Sequence, residues 1–224
     1  MVLGLFDIGM CKGQQYEVIL TTWNEDGSRN AAPFGTIVKG NYEIVNKIFE
    51  GSKTLENIKR NGEFTVNLTY NPLYFSYSLI DNIDEEYYVS SDSLVLQGVS
   101  CFFNADVSSI KSVLKSDDPV RPVETVYIKS DVSSIVVNEV DLNPLNRGIH
   151  CVIESLVNYS RVDIVSSEIR DYYMGRFREN YRVAKKVGSK EDKMAMEYII
   201  SNLEKKGYML WLLFYYNIFL FEFY

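Results

Sequence analysis

Apolar and polar positions alternate along the first third of the chain, as they do in strands with one buried face. The stretch YEVILTTW (residues 16–23) is rich in β-branched and aromatic residues and predicts a first strand. The turn signal NEDG (24–27) leads into a second strand, RNAAPFGTIV (29–38), and a third strand follows at 42–49. Pro33 cannot donate to a strand ladder, so it marks either a sheet edge or a bulge.

A short helix and a fourth strand are predicted in GSKTLENIKRNGEFTVNL (51–68). Ser52 is the predicted N-cap, because its hydroxyl can accept from an open N–H group of the first turn. Asn61 and Gly62 form the stop signal of this helix. Residues 63–70 then alternate strictly between apolar and polar, which predicts a strand that returns to the sheet.

The middle of the chain has a weaker pattern. Residues 71–99 show little periodicity: DNIDEEYYVSSDS (81–93) is acidic and loop-like, and the helix candidate before it is PLYFSYSLI. A second loop, with one helical turn at most, is predicted over residues 108–122. The strands of this part are predicted at residues 101–107, 124–130 and 134–140.

From about residue 143 the apolar spacing becomes that of helices. The first helix is predicted from apolar residues at helical spacing, namely Leu145, Ile149, Val152, Ile153 and Leu156. A second helix is predicted over residues 166–186 and ends at Gly188. Ser189 with Asp192 begins a third helix.

The pattern therefore divides the chain into a β-rich domain (1–142), a helical appendage (143–207) and an apolar aromatic tail (208–224). The tail, YMLWLLFYYNIFLFEFY, is at the short limit for a membrane span. Three interpretations stay open for it: a segment packed on the domain or a partner, a membrane anchor, or an accidental extension of the reading frame.

Composition narrows the function classes. Hydrophobic residues make up 46% of the chain and charged residues 24%, so a buried core is expected and global disorder is not. The net charge of −7 argues against a general nucleic-acid binder. The start, MVLGLFDIGMCKGQ, lacks the pattern of a signal peptide, and a cytoplasmic location is expected.

The cysteines and the single histidine do not predict a metal site or a catalytic base. Cys11, Cys101 and Cys151 lie far apart, which predicts free thiols and no metal site. The single histidine, His150, is predicted to be a packed helical residue rather than a catalytic base.

Two stretches could hold a ligand. Ser52, Lys53 and Thr54 crowd the helix end that carries open N–H groups, where they either hold a phosphate or form a plain N-cap. The segment RNAAPFGT has small residues around Pro33 and either admits a flat ligand to the backbone or is an irregular edge strand. A ligand with a flat ring on RNAAPFGT and a phosphate at Ser52, Lys53 and Thr54 would fit the description of flavin mononucleotide (FMN).

The run EVILTTWNEDGSRNAAPFGTIV, with the later GSKTLENIKRNGEFTVNL, resembles the FMN-binding split-barrel superfamily of flavin reductase-like proteins over about residues 16–70. The shared pattern joins N-x-A-P-F/S to K-T-x-x-N-I-x-x-x-G-E-F-x-V-N. TTWNEDGSRNAAPFG and the later LNRGIHCVIESLVNYSR resemble, more closely, a mostly archaeal family known as DUF447. This second resemblance extends to about residue 206.

The resemblance implies an α+β fold, a split β-barrel with a C-terminal helical appendage, which forms a homodimer and binds FMN. Thr21, Thr22 and Asn67 are weaker candidates on adjoining strands, and Asn146 and Arg147 match an Asn-Arg pair at the start of the helical part. The residues that match the phosphate side are Ser52, Lys53, Thr54 and Asn57, and those along the isoalloxazine ring are Asn30, Pro33, Phe34, Gly35 and Thr36.

The resemblance favours an FMN-binding oxidoreductase of flavin reductase-like type, with an unknown substrate and a small-molecule electron donor or acceptor. The alternatives are a non-enzymatic flavin carrier or regulatory module, and an interaction protein that has lost its ligand. No catalytic residue can be assigned, and substrate-side residues are expected in 81–118. There is no G-x-G-x-x-G segment after a strand, so a Rossmann dinucleotide site is not expected.

Overall fold

Six antiparallel strands close into a barrel in the computed structural model, which describes residues 3–115, 123–138 and 144–208. The strands are β1 (Gln15–Trp23), β2 (Arg29–Gly40), β3 (Glu43–Phe49), β4 (Glu63–Leu68), β5 (Cys101–Lys115) and β6 (Val123–Val137). They pair in the order β1-β2-β3-β6-β5-β4, and β4 returns to β1. A barrel followed by helices confirms the predicted α+β class, and the predicted meander is β1 to β3.

The interior of the barrel is filled by one side-chain face of each strand. Val18 and Leu20 of β1 pack there with Phe64 and Val66 of β4, and all four are buried. Helix α1 (Lys53–Asn61) adds its two apolar residues, Leu55 and Ile58, to the same core. The predicted cap and stop are confirmed: Ser52 is the N-cap, and Gly62 follows in the left-handed conformation with φ of 73°.

Pro33 lies on an open edge of β2. β3 pairs with β2 only from Thr36 onward, so the first half of β2 pairs with β1 alone. The N–H of Ala31 points to this open edge, where it donates to Oδ1 of Asn82 at 3.0 Å. Because strand bonds alternate in direction, Pro33 faces the same edge and interrupts no ladder bond. The edge alternative was therefore right, and the irregularity of β2 falls between Val38 and Gly40 instead.

The stretch between β4 and β5 covers the outer face of the barrel wall. Helix α2 (Pro72–Ile80) begins it, as PLYFSYSLI predicted, and Asn71 is its N-cap. Ile19 and Ala31, on the outer face of β1 and β2, are buried under Tyr88 and Leu96 of this stretch. The acidic segment that reads as a loop is thus an ordered cover with its own small core.

Arg29 fixes that cover to β2. Its side chain is only 3% exposed and forms an ion pair with Glu85. Its Nε and Nη2 donate to the carbonyl oxygens of Ser93 and Ser90 at 2.8 and 2.6 Å. Its guanidinium lies 4.5 Å from the ring centroid of Tyr88, a cation–π contact. The pattern of the sequence gave no sign of this role.

The strand predictions for β5 and β6 were too short. β5 continues through Lys115, so the loop predicted from residue 108 is wrong over 108–115. Residues 124–130 and 134–140 were predicted as two strands, but β6 runs without a break to Val137. The two strands pair with each other almost along their full length. This long-range pairing stabilises the extended conformation of segments whose hydrophobic pattern alone is too weak to predict a strand. The remainder of these predicted segments, residues 116–122 and 139–140, lies outside the described residues.

The helical part forms a second compact unit, and the chain divides between Leu145 and Asn146, against a boundary predicted after residue 142. Its helices are α3 (Arg147–Tyr159), α4 (Ser167–Val187) and α5 (Lys190–Lys205). The predicted start of α5 is confirmed as a capping box, in which Ser189 and Asp192 bond to each other's N–H groups. Among the residues described, no helix combines the length and apolar character that crossing a membrane requires. The tail beyond Tyr208 lies outside this range.

The apolar stripe predicted for α3 is mostly not its buried face. Val152 is buried, but Ile149, Ile153 and Leu156 are each about half exposed. His150 is exposed as well, so the prediction that it is packed was wrong. The face of α3 that packs against α4 and α5 instead uses small and polar residues, such as the fully buried Ser155.

We predict that Arg29→Met lowers the free energy of unfolding by about 2–4 kcal/mol, because it removes a buried guanidinium that donates to the carbonyl oxygens of Ser90 and Ser93. Glu85→Gln should lower it by no more than about 1 kcal/mol, since this carboxylate is mostly exposed. Chemical denaturation followed by circular dichroism measures both. Equal losses would show that the ion pair, not the bonds to the loop, holds the cover in place.

Candidate functional site

The first turn of α1 is both a capped helix start and an open donor site. Oγ of Ser52 accepts from the N–H of Leu55 at 3.3 Å, so the cap interpretation holds. The N–H groups of Lys53 and Thr54 precede the first intrahelical bond and stay available for a ligand. The helix dipole adds partial positive charge at this end.

Side-chain amide groups tie this turn to the barrel. Asn30 of β2 donates its Nδ2 to Oγ1 of Thr54 at 2.9 Å. Asn57, one turn further along α1, donates to Oγ1 of Thr22 at 2.9 Å and to Oδ1 of Asn24 at 2.7 Å. Thr22, Thr54 and Asn57 are each no more than 2% exposed. The two sequence motifs, RNAAPFGT and the start of α1, therefore meet at one place.

Arg60 completes this junction, although no sequence signal pointed to it. Its Nη2 donates to Oδ1 of Asn57 at 2.9 Å and to the carbonyl oxygen of Trp23 at 2.6 Å. The amide of Asn57 is thus bonded on both of its polar atoms. Asn57 consequently acts as a structural link between α1 and β1, with little capacity left for a ligand.

A cleft of about 420 Å³ opens between this turn and the β1–β2 hairpin. Its rim carries more negative than positive groups. Hydrogen bonds from the hydroxyl and N–H of Ser28 hold the pKa of Asp26 below its usual range, and the nearby charge of Lys53 lowers it further. The lining residues are Asn24, Glu25, Asp26, Lys53, Glu56, Asn57 and Arg60.

The segment of residues 33–36, predicted to lie along the isoalloxazine ring, offers a ligand backbone groups more than side chains. Phe34 packs on the barrel core, and Thr36 is fully buried, where its Oγ1 accepts from Nδ2 of Asn46 at 2.7 Å. By the alternation of strand bonds, the N–H groups of Phe34 and Thr36 point toward β1. Gly35 is therefore the residue of this segment whose N–H faces away from β1. The space that a side chain would fill at Gly35 is occupied by the side-chain end of Gln15.

Asn46 was missed by sequence reasoning, and it is unusual. It is fully buried, and its Oδ1 has no hydrogen-bond partner among the described residues. Its Nδ2 also approaches the carbonyl oxygen of Gly35 at 3.4 Å. An apolar pattern with a single asparagine inside it, EIVNKIF, was the signal that could have identified it.

Thr21 and Asn67 lie on the opposite face of the wall from Thr22. Both are fully buried under the cover, and Asn67 donates its Nδ2 to Oγ1 of Thr21 at 3.0 Å. Oδ1 of Asn67 accepts from the N–H of Leu96 at 3.0 Å. These two residues are thus separated from the α1 junction by the thickness of the sheet.

Asn146 and Arg147 belong to the second unit. Asn146 is the N-cap of α3: its Oδ1 accepts from the N–H of Gly148, and its Nδ2 donates to the carbonyl oxygen of Val187, both at 2.7 Å. Asn146 is therefore occupied within the helical unit. Arg147 is exposed and lies near enough to Cys151 to lower the pKa of that thiol, although burial has the larger, opposite effect.

The cysteines do not form a reactive site. All three are free thiols, and Cys101 is buried in the barrel. Burial raises the pKa of Cys101 to about 12, so it is protonated and inert at neutral pH. Within the part of the chain that the structure describes, no group of three or more His, Cys, Asp or Glu residues is placed to hold a metal ion.

Two family models match almost the whole described chain. One, described as the N-terminal domain of a protein of unknown function (DUF447), matches residues 16–150, and a second DUF447 model matches residues 146–201. The chain belongs to the DUF447 family. The uncharacterized protein MJ1453 of Methanocaldococcus jannaschii is 25% identical over 191 residues, which span 84% of this chain and 97% of that protein.

Solved structures are similar as well. The FMN-bound protein MM1853 from Methanosarcina mazei, itself described as DUF447, is 25% identical over 87% of this chain and 97% of its own, with a TM-score of 0.48. The flavin reductase of the styrene monooxygenase from Pseudomonas putida S12 is 16% identical over 55% of this chain and 82% of its own, with a TM-score of 0.45. The family models confirm the predicted recognition of DUF447, and the six paired strands form the barrel that was predicted.

We predict that Asn57→Ala lowers the free energy of unfolding by about 2–3 kcal/mol, because Asn24 and Thr22 lose their shared buried donor. Asn61→Ala is the matched control on the same helix. Asn61 is exposed, and its two bonds, to the carbonyl oxygen of Trp23 and from Nε of Arg60, are exposed as well, so the loss should be well under half as large. Urea titrations compare the two, and an equal loss would contradict the role assigned to Asn57.

Proposed function

We propose that this chain binds FMN, with the phosphate at the first turn of α1 and the ring along the open edge of β2. The observation that carries the proposal is the bond between Asn30 and Thr54. It joins a strand edge with small side chains to a helix start with free donors, the two features that a flavin mononucleotide needs. That MM1853, a protein of the same family, is described as FMN-bound supports it.

The phosphate would be held by three groups at the helix start. The N–H groups of Lys53 and Thr54 point out of the first turn, and anions are stabilised at such helix ends. The exposed side chain of Lys53 supplies a charge-assisted donor beside them. The hydroxyl of Thr54 accepts from Asn30, which leaves its own proton free to donate to a phosphate oxygen.

The acidic rim of the cleft limits where that phosphate can lie. Glu25, Asp26 and Glu56 would repel a doubly charged phosphate that entered the centre of the cleft. Asp26 also lies close enough to Lys53 for the two charges to interact. The phosphate is therefore assigned to the helix end rather than to the middle of the cleft, and Asp26 competes with it for the ammonium of Lys53.

The ring would meet backbone groups of β2. Bound FMN supplies the redox chemistry, and the protein binds and orients it and tunes it with hydrogen bonds. The N–H of Gly35 is the donor that this segment offers, and Asn46 holds the adjoining carbonyl from inside the barrel. We propose that the bound flavin exchanges electrons with a small molecule, which makes the chain an oxidoreductase of flavin reductase-like type.

We predict that the purified protein binds FMN and that Lys53→Ala weakens this binding about tenfold or more, through loss of one charge-assisted hydrogen bond. Lys59→Ala is the matched control, because Lys59 lies on the same helix and pairs with Glu50. Quenching of FMN fluorescence measures both affinities. A protein that takes up no FMN would overturn the proposal, and a bound flavin that no reduced nicotinamide or deazaflavin bleaches would contradict the reductase assignment.

We also predict that Asp26→Asn tightens FMN binding by about two- to fivefold at low salt, because it frees Lys53 from a competing carboxylate. The gain should shrink as salt is added, since both charges are exposed. It should vanish in the Lys53→Ala background, which a double-mutant cycle tests directly. A gain that persists without Lys53 would show that Asp26 acts on the phosphate itself.

A further inference from the structure

A second cavity, of about 250 Å³, lies on the outer wall of the barrel. Trp23 of β1, Thr65 of β4, and Phe102 and Asn104 of β5 form its floor, and residues 92–95 of the cover form its other side. None of the residues at the first turn of α1 lines it. It is therefore distinct from the cleft assigned to the flavin phosphate.

Buried polar side chains hold the cover segment over this cavity. Thr21 donates to the carbonyl oxygen of Leu94 at 2.6 Å, and Arg29 donates to that of Ser93 at 2.8 Å. Asn67 accepts from the N–H of Leu96 at 3.0 Å. A wall fixed by fully bonded buried groups keeps its shape without a ligand, so the cavity is preorganised.

The floor offers an aromatic surface and an unused amide. The guanidinium of Arg29 lies 5.1 Å from the ring centroid of Trp23 and so covers one face of the indole. Because Trp23 also lines the cavity, a ligand would contact the part of the indole ring that Arg29 leaves uncovered. Thr65 donates to Oδ1 of Asn104 at 3.0 Å, which orients that amide. Nδ2 of Asn104 makes no hydrogen bond to any residue that the structure describes.

The charge of the cavity is negative. Glu63 and Asp92 line it, and no lysine or arginine is among its lining residues. A hydrogen bond from the hydroxyl of Ser90 holds the pKa of Asp92 below its usual range, so this carboxylate is ionised at neutral pH. The nearest cation, Arg29 behind Trp23, lowers the pKa of Asp92 further, but its side chain is only 3% exposed and is paired with Glu85. The two carboxylates that line the cavity therefore favour a cationic ligand over an anionic one.

We propose that this cavity binds a planar, single-ring ligand that is neutral or cationic, stacked on Trp23 and hydrogen-bonded to Nδ2 of Asn104. The volume suits one six-membered ring with a polar substituent, since an apolar cavity of about 150 Å³ already holds benzene. The negative rim disfavours phosphate-bearing molecules, FMN included. The proposal does not depend on the flavin proposal, because it uses neither α1 nor the edge of β2.

Three probes of one shape test it: benzamidine (cationic), benzamide (neutral) and benzoate (anionic). Binding is followed by calorimetry and by the fluorescence of Trp23, in a Trp211→Phe background where Trp23 is the only tryptophan. We expect benzamidine to bind about tenfold or more tightly than benzoate, with benzamide between them, and all responses to be the same with and without FMN.

Substitutions locate the site. Asp92→Asn with Glu63→Gln should reduce the preference for benzamidine over benzoate to less than about threefold, and Asn104→Leu should weaken benzamide about fivefold or more. Glu43→Gln is the matched control, because Glu43 is a carboxylate on β3, a strand that contributes no residue to this cavity, and it pairs with Lys129. It should change neither value.

The proposal is overturned if no probe binds saturably, if binding leaves the fluorescence of Trp23 unchanged, or if benzoate binds as tightly as benzamidine. It is also overturned if Glu43→Gln removes the charge preference as fully as the cavity substitutions do. Since FMN uptake is measured on the same samples, a failure here is separable from a failure of flavin binding.

Discussion

The alternation of side chains along β1 governs both candidate sites. Successive residues of a strand point to opposite faces, so Thr22 points to the barrel end and Thr21 points outward. Thr22 accepts from Asn57 of α1, whereas Thr21 donates to the carbonyl oxygen of Leu94 in the cover. A register slip of one residue would exchange these faces and dismantle both contacts. The pairing of Thr22 with Asn30, fixed by the β1–β2 hairpin, is what sets the register.

Buried amides carry much of this architecture. Asn57 and Asn67 are bonded on both polar atoms, and such fully satisfied groups fix the position of α1 and of the cover segment. Asn46 departs from this rule, since its buried Oδ1 has no partner among the described residues. An unpaired buried carbonyl normally destabilises a fold by about 1–3 kcal/mol. Its position beside Gly35 lets its Nδ2 fix the backbone at the edge that we propose for the flavin ring.

Local signals predicted the elements near the site well. Ser52, Gly62 and the alternation of residues 63–70 act within a few residues. The structure confirms the cap, the stop and the strand, which ends at Leu68, two residues earlier than predicted. The extent of β5 and β6 could not be predicted, because their polar stretches are held as strands by each other. The role of Arg29 was hidden for a similar reason: its partners Glu85, Ser90 and Ser93 lie more than fifty residues away in sequence.

Net charge says less about the ligands than the position of each charge does. The chain carries −7 overall, and both cavities have acidic rims. Only the α1 cleft adds a helix N-terminus and Lys53, which together can offset a phosphate. The outer cavity has no such groups, so the same strand would separate an anionic cofactor from a neutral or cationic ligand. Selectivity of this kind follows from local fields within a Debye length, about 8 Å at physiological salt, and not from the sum over the molecule.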